Sequence, residues 1–488
     1  MLKYTHSSYI FLVRLKVFTI QIVNCLGFFI LPIGYKYSSF DLFWLVLSMK
    51  IAYFLFWLIF NVGLRVFFKV VRTINFKQRE LGRTIFVSNH PAAFMDPLVI
   101  ALFGKNIVHF MARADVFKPI LKPIFSAAHM LPIYRQLDGG DTQEKNRLVF
   151  IKTSEILRKN KNILIFGEGF TDEVFIRRLK PIKKGAFRIG FTALEVMNWE
   201  HKVYVNAIGC NYTAPNMALS ELLISSGDRI CLNDYREQYE QNPSGTITML
   251  TRMLEQDMKN QITHVENMEW LEFHEQCMML TRKGMDPICY DVKYTLEDRH
   301  FYSQELAKVL NEKSADQLEQ LTGVRQEVKD YFSSLAAINI SENERFLHAT
   351  SSWNLKNKVI KILLSLPFAL LGIIHVGLFY FFIKRFVEKV FIRPVFWGSS
   401  KLIILIAVLG LFNIPFIFLI ANYFSCLGST YAFLIGFTYY FFIWFYGLVA
   451  FSFKNDVHYC YRYLKTRKVD LFNYNVTAEQ LANSLKSI

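Results

Sequence analysis

The chain has 488 residues, of which 52% are hydrophobic, 47 are Phe and only 20% are charged. This composition is too apolar for an ordinary soluble protein of this length, and it indicates a membrane protein with room for two or three domains. The net charge of +16 suits either nucleic acid or anionic lipid, and the long apolar runs favour lipid. We therefore expect membrane lipid as a partner, and no nucleic acid.

The seven cysteines are scattered, and no two of them form a C-x-x-C pair. This pattern indicates a reducing compartment and predicts neither a disulfide framework nor a zinc site. The sequence also lacks a Walker A motif, a Gly-x-Ser-x-Gly elbow, a His-Glu-x-x-His motif and a Rossmann fingerprint. We therefore expect no metal and no bound cofactor.

Residues 1–70 are predicted to be membrane-associated helices. Val17–Ile33 is short for a membrane span, and Phe43–Val62 has Lys50 near its middle, where a charge costs about 2.5–3.5 kcal/mol on insertion scales. Both segments fit an interfacial position equally well, because Lys50 would there reach the lipid headgroups.

Residues 75–230 are predicted to form an α/β domain, a mixed sheet flanked by helices, because short β-rich runs alternate with helical patterns. The predicted strands are Thr84–Val87, Val108–Met111, Met130–Tyr134, Ile163–Phe166 and Val203–Ile208, and the predicted helices include Leu148–Leu157 and Gly185–Val196. Residues 231–355 are predicted to be a helical extension. In it, an apolar stripe within Asp316–Leu335 is expected to be a packing face.

Three runs of 22 or 23 residues without a charged side chain lie within residues 356–456: Ile362–Ile383, Leu402–Phe424 and Tyr431–Phe453. Each is long enough to cross a hydrocarbon core of about 30 Å. The positive-inside rule places the basic connection Lys384–Lys401 and the tail, residues 457–488, on the cytoplasmic side. The last two runs are therefore expected to form a hairpin.

A full crossing by the first run, Ile362–Ile383, would place the α/β domain on the far side of the membrane. Pro367 and Gly372 lie inside this run, and they permit a kinked, re-entrant or interfacial segment. We favour that arrangement, which gives two or three transmembrane helices and an α/β domain that faces the cytoplasm.

The stretch Val87–Val99 is where we expect the chemistry. A β-rich run leads into His90, and Pro91 permits a helix to start there. If Asp96 contacts one imidazole nitrogen, it fixes the tautomer of His90 and leaves the other nitrogen able to take a proton from an alcohol. A polar turn with a capping histidine is the other interpretation, so the neighbouring motifs decide between the two.

Two further motifs follow along the chain. Arg135 ends a predicted strand, where its planar guanidinium suits either a phosphate or a surface salt bridge. In Ile165–Thr171 two glycines flank Glu168 at a strand end, so the backbone can approach a ligand closely, and Glu168 is expected to bond a substrate hydroxyl or the basic residues that follow. These basic residues are expected to attract phosphates or to form a solvated face: Arg177, Arg178, Lys180, Lys183, Lys184 and Arg188.

In this order the motifs resemble those of the glycerolipid acyltransferase superfamily, which includes glycerol-3-phosphate and 1-acylglycerol-3-phosphate acyltransferases. The resemblance covers roughly Thr84–Pro215. The segments that resemble the four family motifs are Asn89-His90 with Asp96, Pro132–Arg135, Phe166–Thr171 and Val205–Gly209.

The sequence departs from the family pattern at four points. Five residues separate His90 from Asp96, where four are common. Gly167 replaces the usual proline of the third motif, and Phe170 is inserted before Thr171. The arginine that often follows the threonine is missing, so Arg177 or Arg178 is expected to take its role.

The resemblance implies a membrane O-acyltransferase of phospholipid biosynthesis. Its co-substrate would be a thioester of acyl-CoA or acyl carrier protein, and its acceptor glycerol-3-phosphate or 1-acylglycerol-3-phosphate (lysophosphatidic acid). His90, oriented by Asp96, would be the general base. The residues expected to bind substrate are Asn89, Arg135, Glu168, Gly169, Thr171, Arg177, Arg178 and Lys184. The alternative is a catalytically inactive polytopic protein that binds or transports lipid.

Overall fold

The structure is a computed structural model, and it describes residues 57–76, 82–103, 108–114, 117, 125, 128–134, 142–350 and 354–485. The predicted segment Val17–Ile33, most of Phe43–Val62, and Arg135 lie outside the described residues. Internal contacts divide the chain into two units. One unit comprises Met1–Ile59 and His109–Val149, and the larger unit comprises Phe60–Val108 and Phe150–Ile488.

Seven strands occur among the described residues: β1 (Phe68–Ile74), β2 (Thr84–Ser88), β3 (Val108–Arg113), β4 (Met130–Ile133), β5 (Asn162–Phe166), β6 (Tyr204–Tyr212) and β7 (Ser220–Cys231). The helices that precede and connect them are α1 (Trp57–Phe67), α2 (Met95–Phe103), α3 (Thr142–Arg158) and α4 (Gly185–Val196). Six helices of the extension follow: α5 (Arg236–Gln241), α6 (Pro243–Gln261), α7 (Leu271–Thr281), α8 (Leu296–Glu312), α9 (Ala315–Ala337) and α10 (Glu342–Ala349).

The larger unit is built on a mixed sheet with the strand order β1-β7-β6-β2-β5. Strand β2 pairs in parallel with β5 and β6, and all five of its residues are buried, as expected for a parallel strand covered on both faces. Strand β7 runs antiparallel to β6 and parallel to β1. The prediction of an α/β domain with a mixed sheet and flanking helices is confirmed, although β1 and β7 were not among the predicted strands. In the smaller unit, β3 pairs in parallel with β4.

The helical extension has its own apolar core. Val328 and Leu335 of α9 are buried in this core together with Leu471 and Leu481, which belong to the C-terminal part of the chain. The apolar stripe of α9 is therefore a packing face, as its spacing predicts. Capping boxes that Thr295, Ser314 and Ser341 form at the N-termini of α8, α9 and α10 fix where these helices begin.

Three long apolar helices follow: α11 (Leu355–Val390), α12 (Pro394–Cys426) and α13 (Ala432–Thr466). A shorter helix, α14 (Phe472–Ser484), ends the described chain. Protein buries only 17%, 17% and 22% of the most apolar windows of α11, α12 and α13, so these helices are long and apolar enough to cross a membrane. The first two predicted runs lie within these helices, and the third lies within α13 except for Tyr431, the residue before its start.

Helix α11 contains Pro367 and a π-helical turn at Ile373–Gly377, features that commonly kink helices. At its start, the Lys358 ammonium lies 2.5 Å from the Asp456 carboxylate of α13. Just beyond its end, the Val395 N–H donates to the Glu173 carbonyl of the α/β domain (2.9 Å). The start of α11 therefore contacts the end of α13, and the residue that follows its end region contacts the α/β domain.

Candidate active site

His90 lies in the turn that follows β2, and Asp96 lies in the first turn of α2. The His90 Nδ1–H donates to Asp96 Oδ2 over 2.8 Å. The Asp96 side chain is fully buried, whereas 19% of the His90 side chain is exposed. Because the Nδ1 proton faces the carboxylate, Nε2 is the nitrogen that can accept a proton. The structure thus brings together the two residues that the sequence predicted as a pair.

The turn between them accommodates the five intervening residues. Ala93 adopts a positive φ of 49°, and the N–H groups of Met95 and Asp96 donate to the carbonyls of Ala92 and Ala93. The helix therefore begins at Met95, later than the predicted start beside Pro91. This extra turn lets Asp96 reach back to the imidazole.

Asp96 has two further hydrogen-bond partners. The Ala92 N–H donates to Oδ2 (2.9 Å), and the Tyr212 hydroxyl donates to Oδ1 (2.8 Å). Burial, together with the nearby Asp96 charge, raises the pKa of Tyr212 well above its ordinary value, so the hydroxyl keeps its proton as a donor. Sequence reasoning missed Tyr212; the signal was a polar aromatic residue at the end of the strand beside β2.

The ring of Phe166, the last residue of β5, stacks on one face of the His90 imidazole. Its ring centroid lies 3.9 Å from that of His90, and the two planes are inclined by 14°. Stacking and the Asp96 hydrogen bond together restrict both rotations of the His90 side chain. The orientation of Nε2 is therefore fixed before any substrate binds.

Glu168 connects the third motif to the first. Its Oε1 accepts the His90 backbone N–H (2.8 Å), and its Oε2 accepts the Lys180 N–H (3.4 Å) and lies 3.6 Å from the Lys180 ammonium. Burial raises the pKa of the Glu168 carboxyl, while these partners oppose the shift. Of the two predicted roles, contact with the following basic residues is the one the structure displays.

The two glycines beside Glu168 have separate functions. The Gly167 N–H donates to the Ser88 carbonyl (3.1 Å), a bond that a proline could not make. Gly169 has a φ of +76°, and a Cβ there would lie 2.7 Å from the Lys183 ammonium. A side chain at residue 169 would therefore be strained and would push Lys183 away.

Asn89 is buried and bonded to the backbone of β6. Its amide donates to the Cys210 carbonyl (3.1 Å) and accepts the Cys210 N–H (2.8 Å). The carboxamide therefore extends the sheet pairing beyond the end of β2. In this structure its hydrogen-bonding groups face protein, and its predicted contact with substrate stays a prediction.

Arg177 and Lys184 also have protein partners. The Arg177 guanidinium donates to the carbonyls of Tyr212 and Met285 and to the Glu275 carboxylate, each over 2.8 Å. Lys184 donates to the Thr248 hydroxyl over 2.7 Å. Arg177 thus ties the end of β6, which carries Tyr212, to the helical extension, and the structure does not direct its donors to His90.

The remaining basic residues differ in exposure. Arg178 is half-buried, and Lys183 and Arg188 are exposed. Lys180 pairs with Asp172 (3.0 Å) as well as with Glu168. Its ammonium also lies 4.2 Å from the centroid of the exposed Phe170 ring. A basic rim therefore borders the third motif.

Thr171 is buried, and a residue from the membrane region contacts it. Arg393, which follows α11, donates to the Thr171 hydroxyl (2.9 Å), to the Thr171 carbonyl and to the Asp172 carbonyl (2.9 Å). Sequence reasoning missed this arginine, because nothing local relates two residues that are 222 positions apart.

The described part of the chain has no group of three His, Cys, Asp or Glu residues that could hold a metal ion. The arrangement itself is that of a general base: a histidine with one nitrogen bonded to a buried carboxylate and the other nitrogen directed away from it. The third motif, which Glu168 bonds to the His90 backbone, and the basic rim lie beside this base. Together they suit an anionic substrate that carries a hydroxyl.

Comparison with known proteins places this geometry in a family. Residues 69–210 match the family model described as Acyltransferase. The search of curated proteins found no match. Among solved structures, the chain is similar to the 1-acyl-sn-glycerophosphate (LPA) acyltransferase PlsC from Thermotoga maritima, with 13% sequence identity and a TM-score of 0.27 over 48% of this chain and 96% of that chain.

The matched residues 69–210 include His90 and Asp96 of the first motif and Glu168 and Thr171 of the third motif. This match supports the resemblance that the motifs indicate, because residues 69–210 match the acyltransferase family.

Proposed function

We propose that this protein is a membrane acyltransferase that moves a fatty acyl group from an acyl thioester to a hydroxyl of glycerol-3-phosphate or 1-acylglycerol-3-phosphate, in phospholipid biosynthesis. The observation that carries the proposal is the His90–Asp96 pair, whose Nε2 lies at a partly exposed position beside a basic rim. The donor is a thioester of coenzyme A or of acyl carrier protein.

The proposed reaction needs one proton carrier. His90 Nε2 takes the proton from the acceptor hydroxyl as its oxygen attacks the thioester carbonyl. The tetrahedral oxyanion then collapses, the carbon–sulfur bond breaks, and the imidazolium returns the proton to the leaving thiolate. Asp96 stabilises the imidazolium, and the backbone N–H groups of Ala93 and Phe94, in the turn before α2, are the candidates for stabilising the oxyanion.

The substrate assignments are part of the same proposal. The third motif ends at Thr171 and is bordered by Lys183 and Arg178. These three side chains suit the phosphate of the acceptor. Arg135, at the end of the second motif, is proposed for the same role. A phosphate-bearing acceptor that is itself a lipid also agrees with three helices long and apolar enough to cross a membrane.

The membrane arrangement is proposed on the same grounds. The start of α11 lies beside the end of α13, and the α/β domain contacts Val395 just after α11, which supports a kinked, re-entrant segment. In that arrangement α12 and α13 form a hairpin, and the acyltransferase domain faces the cytoplasm with the basic connection Lys384–Lys401.

The test is turnover by the full-length protein in lipid vesicles. Acyl-CoA and acyl carrier protein thioesters are each combined with glycerol-3-phosphate and with 1-acylglycerol-3-phosphate, and the acylated product is quantified. We expect one acceptor to be acylated, and we expect His90→Ala to lower kcat/KM at least about 10²-fold. His458→Ala, a change at an exposed histidine on α13, is the matched control and should retain wild-type rates.

Two results would contradict the proposal. One is the absence of product from every donor and acceptor pair with folded wild-type protein, which would favour a lipid-binding or lipid-transport protein without catalysis. The other is a His90→Ala variant that turns over as fast as the wild type.

A further inference from the structure

The loop that joins the first two apolar helices is docked on the acyltransferase domain. We call residues 391–397 the interhelix loop, which includes the first turn of α12. The Asn216 amide donates to the Pro394 carbonyl (3.0 Å), and the Gly398 N–H donates back to the Asn216 side chain (2.9 Å). The Phe396 ring lies 5.4 Å from the ring of Phe94, in the turn between His90 and Asp96. The loop therefore contacts the turn between His90 and Asp96, which we call the catalytic turn, and the segment that follows β6.

Within this loop, Arg393 contacts the third motif. One guanidinium nitrogen, Nη2, donates to the hydroxyl and carbonyl of Thr171 and to the carbonyl of Asp172. The guanidinium carbon also lies 5.3 Å from the centroid of the Phe396 ring. These three acceptors share the two N–H groups of Nη2, and two of them are backbone carbonyls, so Arg393 holds the Thr171–Asp172 backbone in one position.

The charge of Arg393 has no counter-ion among the described residues. The carboxylates of Asp172 and Glu168, in and beside the loop that Arg393 contacts, both pair with Lys180. Arg393 bonds only uncharged oxygens, and its Nε is buried without a hydrogen-bond partner in the described chain. A cation held this way beside a substrate site attracts an anion, because carbonyl dipoles offset its charge only in part.

Arg177, one of the two arginines that the sequence offered for this role, is engaged elsewhere. Its guanidinium bonds Glu275 and the carbonyls of Tyr212 and Met285. Arg393 is therefore the guanidinium that the structure places on Thr171, although it comes from the membrane region.

We propose that Arg393 is a positioning residue of the acceptor site. It fixes the Thr171–Asp172 loop, and it adds positive charge at the side of the site where the acceptor phosphate binds. This inference rests on the proposed function for the identity of the acceptor. It makes recognition of a phosphate-bearing acceptor depend on correct docking of the interhelix loop, and so on the membrane helices.

The experiment compares Arg393→Gln and Arg393→Lys in full-length protein in lipid vesicles. We expect Arg393→Gln to raise the KM for the acylated acceptor about tenfold, as loss of one charge-assisted contact predicts, while the KM for the acyl donor changes less than twofold. Arg393→Lys keeps the charge and should fall between Arg393→Gln and the wild type. The matched control is Arg385→Gln, an exposed arginine of α11 that stacks on Phe381.

A second measurement follows binding without turnover. Thermal unfolding is recorded with and without 1-acylglycerol-3-phosphate, and separately with inorganic phosphate. The wild type and Arg385→Gln should be stabilised by the lipid, and Arg393→Gln should lose most of that shift. Stabilisation by lipid but not by inorganic phosphate would show that the site binds the whole acceptor, and equal shifts would show that the phosphate alone suffices.

The inference and the proposed function fail in different ways. If the wild type acylates no acceptor, the proposed function fails, and the thermal shifts still test Arg393. The inference itself is overturned if Arg393→Gln keeps the wild-type shift and KM. It is also overturned if donor and acceptor KM rise together, or if lysine at this position is no better than glutamine.

Discussion

At the scale of single residues, Asp96 is the centre of the candidate site. Its carboxylate accepts hydrogen bonds from His90, from the Ala92 backbone and from Tyr212. A fully buried carboxylate without such partners would be costly to keep ionised. These three donors therefore make a charged Asp96 possible in a dry environment, and only a charged Asp96 stabilises a protonated His90.

Tyr212→Phe tests this dependence. The variant removes one hydrogen bond to a charged group, worth about 1.5–3 kcal/mol, and keeps the ring that fills the core. We expect kcat/KM to fall about tenfold to a hundredfold with the unfolding temperature changed by only a few degrees, as measured by turnover and thermal unfolding. Tyr204→Phe, at the opposite end of β6, is the control. Turnover by Tyr212→Phe within twofold of the wild type would exclude a role for this hydroxyl.

Glu168 gives a prediction about pH. Burial raises its pKa above the ordinary value, so between the two values the folded protein binds more protons than the unfolded chain. Stability contributed by this group therefore increases as the pH falls through that window and is lost as the pH rises through the raised pKa. We expect the unfolding temperature of the wild type, relative to Glu168→Gln, to rise as the pH is lowered from 7 towards 4.

The control for this titration is Glu237→Gln, a change at an exposed residue of α5. Its unfolding temperature relative to the wild type should vary less with pH than that of Glu168→Gln. If the difference in unfolding temperature between the wild type and Glu168→Gln stays constant over this pH range, Glu168 does not titrate there with a raised pKa.

At the scale of elements, three neighbouring parallel strands bring the site together. His90 follows β2, Glu168 follows β5 and Tyr212 ends β6. Since these strands are parallel, their carboxyl ends lie at one edge of the sheet, where open α/β sheets bind ligands. Apolar runs predict such strands from sequence, and polar residues after them then indicate the site.

The two strands that sequence reasoning missed have a physical explanation. Strand β7 begins Ser220-Glu221, and a charged residue argues against a buried strand. In the fold Glu221 is buried because Arg299 of α8 pairs with it and the Thr213 hydroxyl accepts its backbone N–H (2.9 Å). These partners come from other elements, so local sequence carries no sign of them. Strand β1 pairs only with β7, and it was missed with it.

At the scale of the whole molecule, the long apolar helices contact one another and also contact the α/β domain. The start of α11 and the end of α13 are linked by Lys358, Lys361 and Asp456. The interhelix loop contacts the catalytic turn. Hydrophobic length alone identifies the three helices, but it gives no information on which of their ends return to the domain.

The membrane arrangement predicts where a water-soluble thiol reagent will react. Cys426 is exposed near the turn between α12 and α13, and Glu319 is exposed on α9. In oriented vesicles, a cysteine introduced at residue 319 should react from the cytoplasmic side. Cys426 should resist the reagent from that side and react only from the other side or after solubilisation, as measured by mass of the labelled protein.

The control is a Cys426→Ser variant that carries no other change, in which labelling of this site must disappear. Reaction of Cys426 and of residue 319 from the same side of intact vesicles would contradict the hairpin. Reaction of residue 319 from the non-cytoplasmic side alone would contradict the orientation of the domain.

The sequence by itself determined the membrane character, the α/β class and the His90–Asp96 pair, because apolar periodicity and short motifs are local properties of the chain. Only the tertiary structure decided that Tyr212 completes the Asp96 site, that Arg177 is engaged by protein oxygens, and that Arg393 lies on Thr171. These contacts join segments far apart in the chain, and their energy depends on burial and on partners supplied by folding. Local patterns record which residues are able to react, whereas packing decides which of them meet.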